Sequence, residues 1–273
     1  QHGTVTVMID REGYEVTTYR IDGEYEDGRH PKEVCFTSSL EEDLKRRDFT
    51  MNAMAYNPSK GLVDLFGGMD DMENHVIRCV GNPMERFQED ALRIMRAVRF
   101  SAQLGFAIDD STRQAITALA PNLKYVSAER IQAELVKLLT SPHPDYFRVA
   151  YETGITREFL PEFDACMETE QNTPHHCYTV GEHILHSTLN VPADKVLRLT
   201  MLFHDIAKPL MKTTDENGCD HFKKHAEKGE TVVKGILRRL KFDNDTIDKV
   251  TRLVRWHDER PEPSMKAVRR AVN

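Results

Sequence analysis

Several classes of protein are excluded by what this 273-residue chain has little of. Its five cysteines (Cys35, Cys79, Cys166, Cys177 and Cys219) are odd in number, widely spaced and without a Cys-x-x-Cys pair. That argues against a disulfide framework or a four-thiolate zinc site and fits a reducing cytoplasm. No apolar run approaches the roughly 18 residues of a membrane span, so no membrane partner is expected. Positive charge is not in excess: 37 Lys and Arg stand against 44 Asp and Glu, a net charge of -7. Any nucleic-acid contact must therefore rest on local basic patches. Lys223, Lys224, Lys228, Lys234, Arg238, Arg239 and Lys241 form one such patch, which equally reads as a solvated helix surface. Repeats and low-complexity linkers are absent, and nothing fixes an oligomeric state. The chain starts at Gln1, directly in a strand-like pattern, without a charged-then-apolar leader. It is expected to be a piece of something longer.

What is present centres on Met84–Gln103, MERFQEDALRIMRAVRFSAQ. At about 100° per residue, Phe87, Ala91, Ile94, Met95 and Val98 make one apolar stripe. Glu89, Arg93 and Arg96 gather on the other face with Asp90 beside them, and neither Gly nor Pro interrupts. The spacing predicts one unbroken helix. A solvated face of i,i+3 and i,i+4 ion pairs, each worth roughly 0.2–0.5 kcal/mol, satisfies the same pattern. Phe100 lies on the charged side, so part of that face meets something other than water.

The stretch EDALRIMRAVRF resembles the nucleotide-selecting motif of class II tRNA nucleotidyltransferases, the CCA-adding enzymes, and of the related bacterial poly(A) polymerases. Arg46-Arg47-Asp48-Phe49-Thr50-Met51-Asn52-Ala53 resembles that family's RRDFTxNA motif, and the two occur in the family's order. The resemblance, over roughly residues 3 to 140, implies that Asp90 and Arg93 read the incoming base without a template. Arg47, Asp48, Asn52, Glu89 and Arg96 join them around the nucleotide, Asp48 at the sugar or ordering the site with Asn52. The chemistry is consistent: a carboxylate only accepts hydrogen bonds and a guanidinium only donates. Cytosine and adenine both set an amine donor beside a ring-nitrogen acceptor, whereas uracil and guanine set a carbonyl beside an N–H. CTP and ATP are matched, and UTP and GTP leave buried groups unpaired.

In chain order, Val5–Ile9 and Tyr14–Tyr19 alternate around a turn at Asp10-Arg11-Glu12-Gly13, a β-hairpin. Tyr14–Arg20 resembles the family strand carrying a metal-binding carboxylate, here Glu15, which on its own also reads as an exposed strand residue. Carboxylates holding Mg²⁺ suit phosphoryl transfer because the metal neutralises charge on the attacking and leaving oxygens. The family's Gly-Gly turn and DxD carboxylates are not in these residues. Asp70-Asp71, taken as strand, is no substitute because neighbours on a strand face opposite ways. Ile21–Val34 is polar and resembles the family's flexible loop DGxYxDxRxP, although a plain surface connection reads the same. Leu40–Arg47 is amphipathic, Gly61–Gly68 reads as a strand into a tight turn, Met69–Asn74 as a short helix and Val76–Val80 as the last strand. Asp110–Ala120 and Ala128–Leu139 follow as helices capped by Asp109/Asp110 and Ser127. Ser127-Ala128-Glu129-Arg130 through Leu135 resembles the family motif SxERIxxEL, with Glu129 and Arg130 expected to support the nucleotide-reading helix. Another helix is expected near Tyr146–Tyr151.

A second constellation, Val180-Gly181-Glu182-His183, Leu202–Pro209 (LFHDIAKP), His221–His225 and Trp256-His257-Asp258, resembles the HD phosphohydrolase superfamily and the HD module embedded in many bacterial CCA-adding enzymes. Imidazoles and carboxylates at separated helical positions suit a divalent metal with open water sites. The resemblance maps ligands to His183, His204, Asp205 and His225, with His257 as a further member and His176 as rival first ligand.

The expected fold is α+β. A nucleotidyltransferase palm lacking its N-terminal part (1–80) leads to a helical neck (81–170), an all-α HD domain (171–262) and the start of a further segment (263–273). The implied activity is template-independent addition of CMP and AMP from CTP and ATP to tRNA 3′ ends, with Mg²⁺ at Glu15 and another divalent ion in the HD module. Alternatives are a poly(A) polymerase, a phosphohydrolase acting on phosphomonoesters or cyclic 2′,3′-phosphates, and a non-catalytic RNA-binding relative. Residues 1–273 expressed alone hold Glu15 without DxD partners, so they should add no detectable labelled nucleotide to tRNA. Incorporation would show that the catalytic carboxylates have been misplaced.

Overall fold

The structure, a computed structural model, describes residues 4–23, 34–172 and 178–259. The body of the expected loop, His176 and the segment 263–273 lie outside these residues.

Strands β1 (Thr4–Ile9) and β2 (Glu12–Thr17) pair antiparallel, with Thr4 opposite Thr17 and Ile9 opposite Glu12. The turn is tighter than the sequence suggests: only Asp10 and Arg11 intervene, at φ 50° and 69°. Two left-handed central residues are what a two-residue hairpin needs to match strand twist, and Gly13 joins β2 instead. Next, β3 (Arg20–Asp22) pairs with β4 (Val34–Phe36), so both ends of the segment expected as loop are strand. Helix α1 (Leu40–Lys45) starts at Ser39, whose side chain accepts the Glu42 amide at 3.3 Å. β5 (Met54–Asn57) and β6 (Gly61–Asp64) form a hairpin, and the Asp64 carboxylate accepts the amides of Gly68 and Met69 to start α2 (Gly68–Glu73). Asp70 and Asp71 are thus helical, as the short helix expected at Met69–Asn74 implies, and are not neighbours on a strand. Asp71 is buried against Thr50 Oγ1 (2.7 Å) and Arg78 Nε (3.0 Å). Of the expected strand at Val76–Val80, only β7 (Val76–Ile77) lies in a ladder, with a single bridge from Cys79 to Phe49.

The predicted unbroken helix is two helices, α3 (Pro83–Glu89) and α4 (Leu92–Leu104). Asp90 is extended (φ -145°, ψ 104°), and its carboxylate accepts the Leu92 amide at 3.0 Å. Asp side chains compete with the helix ladder for nearby backbone donors, and here the side chain wins. The apolar stripe survives the break: Phe87, Ala91, Ile94, Met95 and Val98 are all buried. β8 (Ala107–Ile108) then runs parallel to β7, a pairing the sequence pattern did not suggest. α5 (Asp110–Leu119) is capped by Asp109, which accepts the amides of Ser111 and Thr112. α6 (Ala128–Leu139) begins after Ser127 as expected, though without a side-chain cap hydrogen bond.

Short helices α7 (Phe147–Glu152), α8 (Ile155–Phe159) and α9 (Pro161–Met167) lead to α10 (Val180–Leu189) and α11 (Lys195–Phe203). α12 (Lys208–Met211), a hairpin of β9 (Thr213–Thr214) and β10 (Asp220–His221), α13 (His225–Arg239) and α14 (Asn244–Trp256) complete the order. Gly181 lets α10 approach α9, since a Cβ there would lie 2.7 Å from the Met167 backbone. One continuous apolar core runs from Phe49 through α4, α6 and α11 to Val254.

Within that core α4 and α6 are joined by an ion pair between Arg99 Nε and Glu134 Oε2, whose side chains are only 7% and 5% exposed. Arg99 also lies 3.6 Å above the Phe100 ring, and Phe100 packs edge-on against Phe49 at 5.8 Å. That is the contact the misplaced aromatic on the charged face makes. Removing one partner of a buried pair strands the other charge. Glu134→Ala should therefore destabilise the fold by about 3–5 kcal/mol in urea unfolding. Replacing both residues with apolar side chains of similar volume should recover most of the loss.

Candidate nucleotide site and metal centre

The two motifs of the first half, far apart in sequence, meet at Asp48. This residue is 7% exposed, and its Oδ1 accepts Phe49 N at 2.9 Å and Asn52 Nδ2 at 3.1 Å. Its Oδ2 accepts Arg96 Nε at 2.7 Å. Arg93 Nη1 donates to Glu89 Oε2 at 2.6 Å and to the Arg86 carbonyl at 3.1 Å, while Nη2 donates to the Arg46 carbonyl at 3.1 Å. Asp90 turns the other way and pairs with Arg130 Nη2 at 2.7 Å. Asp90 and Arg93 are therefore not one turn apart on a helix, as the spacing implied. Each is clamped by its own partner at the α3–α4 break.

Arg47 Nη2 donates to Asp43 Oδ2 at 2.9 Å, and Arg46 Nε donates to Asp43 Oδ1 at 3.0 Å. Burial opposes ionisation of Asp43, but these two guanidiniums overcome it and hold the carboxyl below its ordinary range. Asp43 organises the basic pair, yet the sequence reading passed over it. Its i,i+3 and i,i+4 spacing to Arg46 and Arg47 was the available signal. Glu129 is exposed in the first turn of α6 and does not pack against the reading helix as expected. The buried acid of the same motif, Glu134, makes that contact instead. Glu15 lies on exposed β2 opposite Thr6. Among the described residues it joins no cluster of three or more potential metal ligands.

In the second half, α10, α11, α13 and α14 each bring one histidine to a single carboxylate. Asp205 Oδ2 lies 3.6 Å from His183 Nε2 and 3.3 Å from His204 Nε2. Its Oδ1 lies 3.2 Å from His225 Nε2 and 3.5 Å from His257 Nε2. His204 and Asp205 are not on a helix but in the turn that ends α11, which lets adjacent side chains converge. His204, His225 and His257 make the same contact: Nδ1 meets the carbonyl three residues earlier, at 2.7, 2.8 and 2.7 Å. Tying off Nδ1 as donor leaves the Nε2 lone pair for a metal. Burial opposes ionisation of Asp205, yet the imidazoles, His204 foremost, hold its carboxyl well below the usual carboxylate range. For His257 burial resists the proton, but the hydrogen bond to Asp205, the bond to the Val254 carbonyl and the nearby charges of Asp205 and Asp258 together raise the pKa. Lys208, unassigned from sequence, is buried with Nζ 2.8 Å from Asp205 Oδ2 and 2.9 Å from Gln171 Oε1. This donor set, several imidazoles around one anionic oxygen pair, fits a divalent ion with room for water.

Fold and site together define a mixed α+β head joined through a helical region to a helical module that gathers histidines around one aspartate. The family models agree: "Poly A polymerase head domain" matches residues 1–78, "Probable RNA and SrmB- binding site of polymerase A" matches 105–167, and "HD domain" matches 174–271. The CCA-adding enzyme of Lactobacillus helveticus is 47% identical over 175 residues, 64% of this chain and 44% of that protein. That of Geobacillus thermodenitrificans is 51% identical over 162 residues, 59% of this chain and 40% of that protein. The crystal structure of the Bacillus stearothermophilus CCA-adding enzyme in complex with CTP superposes with a TM-score of 0.68 at 32% identity. It covers 99% of this chain and 58% of that one. The chain is thus similar to bacterial CCA-adding enzymes along nearly all of its length, and its matched stretch spans less than half the length of these two curated relatives. The HD-domain match, together with the histidine–aspartate cluster, implies a divalent metal. No described helix is long and apolar enough to cross a membrane.

The purified chain should bind a divalent ion, read by elemental analysis, and Asp205→Ala should lose it. Protons compete for Nε2, so affinity should fall as pH falls, starting above the ordinary histidine range because the His257 pKa is raised. Metal retained in full by Asp205→Ala would remove the assignment.

Proposed function

We propose that this chain supplies nucleotide selection to template-independent addition of CMP and AMP to tRNA 3′ ends. The observation that carries this is the pair of clamped, opposite-sign groups at the α3–α4 break, Asp90 on Arg130 and Arg93 on Glu89. An acceptor-only carboxylate and a donor-only guanidinium, each held by a neighbour, present a fixed hydrogen-bond pattern that suits cytosine and adenine. Arg130 orients Asp90, and Glu89 with the Arg46 carbonyl orients Arg93. Arg96 and Asn52 hold Asp48 near the sugar, and Arg47 with Arg46 offers positive charge toward the phosphates. The tRNA 3′-OH attacks the α-phosphate of CTP or ATP and pyrophosphate leaves. Mg²⁺ at Glu15 and its partner carboxylates supplies charge neutralisation when bound. The partners are tRNA, CTP and ATP, in the cytoplasm. The relative that superposes over nearly the whole chain was crystallised with CTP. The palm, neck and HD boundaries at 80/81 and 170/171 belong to the same reading.

The histidine cluster favours a second activity beside the first, metal-dependent hydrolysis of phosphomonoesters or cyclic 2′,3′-phosphates. His183, His204, Asp205, His225 and His257 are its ligands in this reading, and phosphatase assays with Ni²⁺, Mg²⁺ or Mn²⁺ test it. A poly(A) polymerase fits less well, because the curated relatives carry the CCA-adding name. In an enzyme containing this chain together with a DxD segment, Asp90→Ala or Arg93→Ala should lower CTP and ATP use and relax rejection of UTP. Arg130→Ala should reproduce the Asp90 effect more weakly. Labelled-NTP incorporation into tRNA reads all three, and wild-type rates with wild-type selectivity in both single variants would overturn the base-reading assignment.

A further inference from the structure

Away from both sites, three unlike donors meet at the tip of the β9–β10 hairpin. Ligand atoms of Asp215, Cys219 and His221 all lie within 4.8 Å of one another. The loop is fixed by its own bonds. Asp215 Oδ1 accepts the amides of Asn217 at 2.9 Å and Cys219 at 3.0 Å. Gly218, at φ 77°, takes the left-handed conformation that returns the chain. One carboxylate oxygen is thus occupied, and the other is aimed at His221 Nε2, 2.9 Å away. The hairpin is anchored below by Asp220, 5% exposed, which accepts Asn172 N at 2.8 Å and Thr214 Oγ1 at 2.7 Å and pairs with Lys212 at 2.9 Å. A loop already ordered loses little freedom on binding. Among the described residues the thiol is the one member the hairpin does not use: Cys219 Sγ makes a 4.0 Å contact with the Asp220 carbonyl.

We propose that Asp215, Cys219 and His221 form a further metal site for a zinc-like divalent ion, with water as fourth ligand. One thiolate, one imidazole and one carboxylate make a borderline-soft set that suits Zn²⁺ rather than Mg²⁺ or Ca²⁺. The side chains of His221 and Asp215 are 42% and 37% exposed, so an ion reaches the site directly from solvent. Binding releases the thiol proton to solvent and moves the imidazole proton from Nε2 to Nδ1, replacing the His221–Asp215 hydrogen bond by two metal bonds. The site shares no residue with the HD cluster, and the inference does not depend on the proposed function.

The test is a Co²⁺ titration of the reduced, metal-stripped 273-residue chain. The HD cluster contains no thiolate, so a thiolate-to-cobalt charge-transfer band reports this site specifically. The band should saturate within about two equivalents in the wild type, where the HD cluster takes up Co²⁺ as well, and near one equivalent in Asp205→Asn. It should vanish in Cys219→Ser, whose unchanged circular dichroism would rule out unfolding, and need about 10–100-fold more metal in His221→Ala. Zn²⁺ should also slow alkylation of Cys219, read by peptide mass spectrometry. No band in the wild type, or a band that survives Cys219→Ser, overturns the proposal and leaves Asp215–His221 an ordinary ion pair of the turn.

Discussion

Between Glu89 and Leu92 the backbone leaves the helical ladder at Asp90, whose carboxylate takes the Leu92 amide and the Arg130 guanidinium. The link between the α3–α4 break and α6 depends on this substitution of side-chain for backbone bonding. An unbroken helix would bond the Leu92 amide to the Gln88 carbonyl four residues back and take that donor from the Asp90 carboxylate. With the break, Glu89 is left to Arg86 and Arg93 while Asp90 is handed to Arg130. Buried charges that are paired and hydrogen-bonded are tolerated, and stranded ones are not. The same rule explains why Asp48 takes Arg96 and why Glu134 takes Arg99.

The HD half solves a different problem, converging side chains from four helices on one point. Three of its histidines sit where a helix ends or begins: His204 just past α11, His225 at the first residue of α13 and His257 just past α14. Helix ends leave backbone carbonyls without intrahelical partners. His204 and His257 use such a carbonyl to anchor Nδ1, and His225 uses the Phe222 carbonyl just ahead of its helix. The ring is fixed at no cost to the ladder, and Nε2 faces Asp205. His183, inside α10, lies furthest from Asp205, at 3.6 Å.

The basic residues of α13 illustrate how a charge pattern acquires meaning only in space. Lys228, Lys234 and Arg238 are exposed on the outer face, as a solvated surface would be, whereas Arg239 is drawn to Glu162 of α9 at 2.8 Å. That pair ties the HD helices to the preceding helical region through side chains 77 positions apart.

By itself the sequence determined the elements whose cause is local. The apolar stripe of α4, the cap at Asp109, the hairpin of β1 and β2 and the bounds of α6 follow from periodicity and short-range hydrogen bonds. The candidate residues of both sites come from the resemblance of RRDFTMNA, EDALRIMRAVRF and LFHDIAKP to family motifs, since their spacing alone also fits a solvated helix face. Only the tertiary structure decided which of them touch. Periodicity assigns Asp90 to a helix face and cannot register Arg130, 40 residues away, which is the partner that makes the break stable. It ranks Glu129 with Glu134 in one motif, while packing against Arg99 selects Glu134 and leaves Glu129 in water. Nor could it see β8 join β7, or Asp43 gather Arg46 and Arg47. Local spacing fixes a residue's direction along its own element, whereas burial and ion pairing are set by what another element brings to the same point.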